Sequence, residues 1–295
     1  MPAGMTSVTT AENSADLLFS EREFTFTEPD FQRVCALIYA RAGISLSASK
    51  QDLVYGRLAR RLRALGIRSF AHYLDQLDEP QAPEWEHFTN ALTTNLTAFF
   101  REKHHFEMLA EHLRQHAGHG PLRVWSAAAS TGEEAYSIAI TVAQNLHRAS
   151  DEVKILATDI DTSVLDKGRA GIYPAERIDS LPAELCAHYF QRGQGAHAGQ
   201  VRVVERLRSM IAFKRLNLLA ESWPMRHKFD VVFLRNVLIY FDKSTQATLI
   251  EHLSRYIKPG GLLFIGHSES PHVDRRVFES IGRTAYRVLE DARHG

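Results

Sequence analysis

Cysteine is nearly absent. Cys35 and Cys186 are far apart and in no metal-binding or redox spacing, which excludes a disulfide-stapled scaffold and suits a reducing cytoplasm. Neither sign of charge is in excess, with 35 Lys and Arg against 35 Asp and Glu. No global field therefore draws the chain to nucleic acid or to an anionic membrane. Apolar runs are too short for a membrane span. The opening MPAGMTSVTTAENSADLLF has neither the basic start nor the sustained apolar run of a signal peptide. A soluble, cytoplasmic protein is expected, with no membrane insertion and no nucleic-acid partner. The G-x-G-x-x-G turn of dinucleotide sites is also missing.

In place of that turn stands RVWSAAASTGEEAYSIA, Arg123 to Ala139. A short strand-like run leads into small residues, then into Glu133, Glu134 and an apolar helical pattern. Strand, small-residue turn and helix let a ligand approach the backbone at the carboxyl end of a sheet strand. A pyrophosphate site wants bare N–H groups without nearby anions. Two glutamates favour a cationic or hydroxyl-bearing ligand instead.

Residues 1–22 read as a flexible tail and 23–93 as a helical domain. Phe31, Val34, Cys35 and Ile38 stripe one helix that Gly43 stops, and a second runs from about Ser49 to Leu65, closed by Gly66. On the second, Val54, Leu58, Leu62 and Leu65 share a face. Arg57, Arg60 and Arg63 point away from it, and Arg61 lies at its edge. No acid occurs between Leu53 and Leu74, so the arginines suit an acidic protein surface as well as a solvated helix face. Ser69 and Pro83 start two further short helices. Residues 94–119 form a linker and a helix. Their histidines His104, His105, His112, His116 and His119 fit a polar, exposed helix end. The four-residue spacing of His112 and His116 lacks a third ligand, so no metal is expected.

From residue 120 to 295, strands and helices alternate. Strands are expected at Arg123–Ser126, Lys154–Thr158, around Ile211–Phe213, at Phe229–Leu234, at Leu262–Gly266 and, at the sheet edge, Thr284–Glu290. A helix spans Lys243 to Ile257, stopped by Lys258-Pro259-Gly260-Gly261. Runs of Val, Ile, Leu and Phe without alternation mark strands buried on both faces. The fold class is α/β, a doubly wound, mostly parallel sheet. An antiparallel β-subdomain at about 176–215 interrupts it. Gly193, Gly195 and Gly199 mark its loop, and Val201–Val203 is expected to pair with Ile211–Phe213 and to offer a free edge for an extended peptide.

At the carboxyl ends of the strands stand Glu133 and Glu134, then Asp159, Asn217, Asn236 and Tyr240. An acid after the second strand is the usual partner of a ribose diol. A nucleoside carrying a positive group and no phosphates fits this set, and S-adenosyl-L-methionine is such a ligand.

The motifs NLTAFFRE, VWSAAASTGEEAYSIA, ATDID, AFKRLNLL, FDVVFLRNVLIYFD and KPGGLLFIGHSES occur in the order seen in the chemotaxis receptor methyltransferases (CheR-type), which the chain resembles from about Phe31 to Leu289. The resemblance implies a seven-stranded methyltransferase sheet and S-adenosyl-L-methionine held by Asn95, Thr97, Arg101, Asp159, Asn217, Leu218, Asn236 and Val237. It also implies Glu133 in that set, with Glu134 as the alternative. It implies S-adenosyl-L-homocysteine as product, and as substrate glutamate side chains on the cytoplasmic helical bundle of chemoreceptors, converted to methyl esters. The Gly193–Gly199 loop and Val201–Val203 would bind a receptor C-terminal pentapeptide, and Arg57, Arg60 and Arg63 the receptor bundle. A monomer is expected.

A glutamate carboxylate, with a reference pKa of about 4.3, is ionised at neutral pH and needs no general base to attack a sulfonium methyl. Positioning and desolvation are then the enzyme's work, with Arg101 and Tyr240 expected beside the transferred methyl. The rival readings are an RNA methyltransferase and a non-catalytic adaptor. The first lacks a basic platform interleaved with aromatics.

Overall fold

A computed structural model describes residues 22–115, 121–146 and 153–290. Most of the expected tail lies outside the described residues, as do His116 and His119. Four helices form the first layer: α1 (Glu28–Ala42), α2 (Gln51–Leu65), α3 (Phe70–Asp75) and α4 (Glu84–Leu92). Thr27 and Asp30 close a reciprocal capping box on α1, and Gly43, at φ 67°, ends it. The four helices enclose a core built on Phe31, Val34, Ile38, Val54, Leu58, Leu62, Phe70 and Phe88. Leu65, expected on the α2 stripe, is the last residue of its helix and stands exposed.

The α2 arginines find partners that are remote in sequence. Arg61 makes a two-pronged ion pair with Glu84 at 2.6 and 2.7 Å, and Glu84 also accepts the Tyr73 hydroxyl at 2.9 Å. Arg57 donates to the Leu92 and Thr93 carbonyls that end α4. Arg63 pairs with Glu23. Arg60 is exposed and, among the described residues, donates only to the Gly56 carbonyl. The run of one sign in the sequence is therefore partly neutralised in space.

The second unit comprises α5 (His104–Gln115), β1 (Leu122–Ser126), α6 (Glu133–Asn145), β2 (Val153–Asp159), α7 (Thr162–Ala170), β3 (Ile172–Pro174), α8 (Ala183–Tyr189), β4 (Phe190–Arg192), β5 (Gln200–Val203), α9 (Glu205–Arg208), β6 (Ile211–Arg215), β7 (Phe229–Leu234), α10 (Lys243–Ser254), β8 (Ile257–Ile265), β9 (Phe278–Gly282) and β10 (Ala285–Val288). The main sheet has seven strands in the order β6-β2-β1-β7-β8-β10-β9. It is parallel from β6 to β8, and β10 runs antiparallel to both its neighbours. The winding reverses between β1 and β7, and a crevice opens at such a switch point.

Several expectations are corrected. Ile211–Phe213 does not pair with Val201–Val203. It lies parallel to β2, with Ile155 opposite Ile211 and Ala157 opposite Phe213. An edge strand covered on one face alternates just as a ribbon does, so the pattern alone could not name its partner. The small sheet is β3-β5-β4, spanning Ile172 to Val203 rather than 176–215. Val201–Val203 is its central strand, paired on both sides, and so has no free edge for a peptide. The strand near the C-terminus is not at the sheet edge either. The edge is β9, whose mostly exposed residues hid it. The α10 helix stops at Ser254, and Lys258–Gly261 forms an irregularity inside β8, where Phe229 faces Ile257 but Val231 faces Leu262. His105 and His112 are buried, against the expectation of an exposed histidine-rich helix end.

Removing Arg61 strands a nearly buried carboxylate. Arg61→Ala should lower unfolding stability by about 3 kcal/mol, read from urea melts, whereas Arg60→Ala should leave the midpoint unchanged.

Candidate cofactor and active site

The turn after β1 is held to its neighbours by backbone bonds. The Ala127 N–H donates to the Phe233 carbonyl and the Ala129 N–H to the Thr158 carbonyl, each at 2.8 Å. Ser130 sits at φ 48°, its N–H donating to Asp159 Oδ2 at 2.8 Å. Gly132, at φ 95°, passes so close to α7 that a Cβ would stand 3.0 Å from the Gly168 Cα. The small residues keep the turn low, and a cleft of about 680 Å³ opens above it. That volume suits a nucleoside-sized ligand.

Asn95, Thr97, Arg101, Asp159, Asn217, Leu218, Asn236, Val237 and Tyr240 all line this cleft. Glu133 does not. It is fully buried, accepts the Thr131 hydroxyl and lies 3.7 Å from Arg177. Glu134 is the acid on the cleft wall. Gly193, Gly195 and Gly199 lie outside the cleft. A Cβ on Gly193 would collide with the His197 carbonyl at 2.0 Å, while the positive φ of Gly195 and Gly199 shapes the same loop.

Asp159 also accepts the Asp161 N–H, and burial pushes its pKa up to about 6. Asp161, buried beside it, caps α7 through Ser163. Its other oxygen accepts from Thr93 Oγ1 at 2.7 Å and Asn95 Nδ2 at 2.8 Å. Asn217 binds the Arg41 carbonyl, and the Tyr240 carbonyl accepts the Ser45 N–H. The helical layer thus closes over the cleft.

The floor is ionic. Arg235, at the end of β7, has a side chain only 1% exposed. It meets Glu134 at 2.9 Å and Glu102 at 3.2 Å, and it also donates to the Arg101 carbonyl. Burial raises the pKa of Glu134, and Arg235 opposes that rise. Burial likewise opposes ionisation of Glu102, but Arg235, the His267 N–H and Asn236 outweigh it and hold that carboxyl low. His105, packed behind, is pushed down to about 3 by burial and stays neutral. Glu269 accepts the N–H groups of Asn236, Ile239 and Gly266, fixing the turn after β7. Phe100, Glu102, Ser130 and Asn236 all sit at positive φ around the site, where strain tends to gather.

Sequence reasoning missed Arg235, Glu102, Asp161 and Glu269. The signal for the first was a charge directly after an apolar strand, in FLRNV. For the second it was the acid ending FFRE, and for the third the second acid of TDID.

Residues 95–287 match the family described as CheR methyltransferase, SAM binding domain, and residues 29–93 match CheR methyltransferase, all-alpha domain. The chain belongs to the CheR methyltransferase family. It is 51% identical over 270 residues to chemotaxis protein methyltransferase 2 of Pseudomonas aeruginosa, covering 91% of this chain and 96% of that protein. It is 48% identical over 292 residues to the chemotaxis protein methyltransferase of Salmonella typhimurium, covering 99% and 98%. Its counterpart in Escherichia coli is 47% identical over 293 residues, covering 99% of both.

S-adenosyl-L-methionine is the cofactor of this CheR-family chain, and the cleft suits it. A buried carboxylate, Asp159, stands ready to accept hydroxyl protons. The acids that open α6 leave no cradle for phosphate. If a ribose diol donates to the ionised Asp159, protonation competes with binding. Affinity for S-adenosyl-L-homocysteine, measured by calorimetry, should hold above about pH 6 and fall as the pH drops below it, approaching about tenfold per pH unit. Asp159→Asn should bind weakly at every pH and lose this dependence.

Proposed function

We propose that the chain methylates glutamate side chains on the cytoplasmic helical bundle of chemoreceptors, giving glutamyl methyl esters for sensory adaptation. It acts in the cytoplasm and as a monomer. The observation that carries this reading is a second depression of about 710 Å³ beside the cleft, lined by Arg57, Arg60, Arg61 and His87. It shares Thr93, Asn95 and Leu96 with the cleft, so a basic groove leads to the cofactor site. An acidic helix laid in the groove brings a carboxylate to the opening.

When bound, the cofactor supplies an electrophilic methyl on a sulfonium. Asp159 accepts from the ribose. Asn95, Thr97, Asn217, Leu218, Asn236 and Val237 form the remaining walls, with an acid from the first turn of α6, Glu133 or the cleft-lining Glu134, completing the set. Arg101, whose guanidinium donates only to the Leu96 carbonyl among the described residues, orients the incoming carboxylate together with Tyr240. No base is required, because the nucleophile arrives ionised.

Of the three arginines expected to meet the receptor, Arg60 has the freest head. Arg57 is half-committed to the end of α4, and Arg63 to Glu23. For a receptor tail, strand addition falls to β4. Its outer edge is unpaired in the small sheet, and Gln191 and Arg192 are exposed. The opposite edge, β3, ends in Pro174, which has no N–H to give.

The test is transfer of labelled methyl groups to receptor-containing membranes, with release as methanol in mild base. Base-labile label on the receptor is expected, and Arg101→Ala should abolish it. Base-stable label, or label in RNA, would overturn the reading. Arg60→Glu should lower kcat/KM at low salt and have less effect at high salt. An equal effect at both would remove the groove from receptor binding. Calorimetry with a receptor-tail pentapeptide tests β4, and no heat would leave the small sheet a structural element.

A further inference from the structure

Among the described residues six large apolar side chains stand exposed, and three of them, Leu53, Leu96 and Ile239, line the cofactor cleft. Leu96 is 77% exposed and Ile239 52%. A single exposed leucine needs no explanation. Three from separate segments around one opening mark a contact surface. Leu53 belongs to α2, Leu96 to the connection between α4 and α5, and Ile239 to the turn after β7. Leu96 follows Asn95, and Ile239 precedes Tyr240, so both flank residues assigned to the chemistry. Leu53 lies four residues before Arg57 and seven before Arg60, so one face of α2 runs from the cleft into the basic groove. Leu96 lines both depressions.

We propose that Leu53, Leu96 and Ile239 form an apolar seat for the residues one helical turn to either side of the target glutamate on the substrate helix. This rests on the receptor-methylating reading above and adds the rule by which a glutamate is chosen. The occupant is an amphipathic helix. Its target carboxylate enters the cleft, and apolar or small residues three or four positions away lie on the same face, against the seat. Acids further along reach Arg60 and the groove. Charge complementarity alone would accept any carboxylate on an acidic helix. The seat rejects a glutamate whose neighbours on that face are charged, because those charges would lose water against leucine and isoleucine without gaining a partner.

The test uses the full chain carrying Leu96→Ser and Ile239→Ser together. Both positions are exposed, so thermal melting should match the parent. Calorimetry with S-adenosyl-L-homocysteine should give unchanged affinity, while kcat/KM for receptor methylation falls about tenfold. In a receptor whose flanking apolar residues are changed to Asp, the parent should lose a similar factor and the variant little more. Unchanged kcat/KM overturns the seat. A loss of S-adenosyl-L-homocysteine affinity that matches the loss of methylation also overturns it, by assigning the rim to the cofactor. A parent that places no base-labile methyl on the receptor sinks the functional reading itself, and the seat with it, and that outcome is distinct from either of the others.

Discussion

The cleft depends on one buried cation. Arg235 lies beneath it, bridging Glu134 from the first turn of α6 and Glu102 from the segment before α5, and bonding the Arg101 carbonyl. Three parts of the chain that are far apart in sequence are fixed to a common point. A guanidinium suits this work because its planar fork meets several acceptors at once and stays charged when buried. The two carboxylates need it as much. Either one alone in this position would be driven to protonate by burial. The left-handed backbone of Phe100 and Glu102 brackets the Arg101 carbonyl that Arg235 holds, so the strained segment is pinned at its middle. Arg101 then reaches the cleft from a fixed base.

An acid, Asp161, does for the roof what Arg235 does for the floor. It caps α7 on one side and holds Thr93 and Asn95 on the other. The residue that lies two positions after the cleft-lining Asp159 therefore ties the helical layer to the sheet. Tyr39 with Asp242, and Asn90 with Thr162, add further bonds across the same seam. The cleft is formed between two layers, and it exists only while both are docked.

Much of this was legible in the sequence because it is local. The stops at Gly43 and Gly66 and the unbroken apolar strands are written in neighbouring residues. The cleft residues were legible through motifs, and nine of the positions named from them line one cavity. The rest depends on pairings between distant segments. The partners of the α2 arginines are Glu84 and Glu23, which no helical pattern can reveal. The edge strand β9 looks polar because one side of it meets water. Val201–Val203 alternates because it packs on one face, and alternation does not say whether its edges are free. Glu134 stands on the cleft wall and Glu133 behind it, fully buried. Adjacent residues in the first turn of a helix point about 100° apart, and only the packing against β7 decides which of them meets the cleft.

The charge balance explains why acids sit where phosphate sites have none. On the reading proposed above, a sulfonium and a carboxylate must approach each other in a site that excludes water. Glu134 and Asp159 both stand on the cleft wall, and the Arg235 guanidinium offsets the charge of Glu134. Arg101 makes no ion pair among the described residues and stands at the cleft wall, so on that reading it is left to meet the substrate anion. The attraction that brings the two reactants together is therefore not spent on the protein's own ion pairs, and in a site of low polarity it acts over a short and directed path.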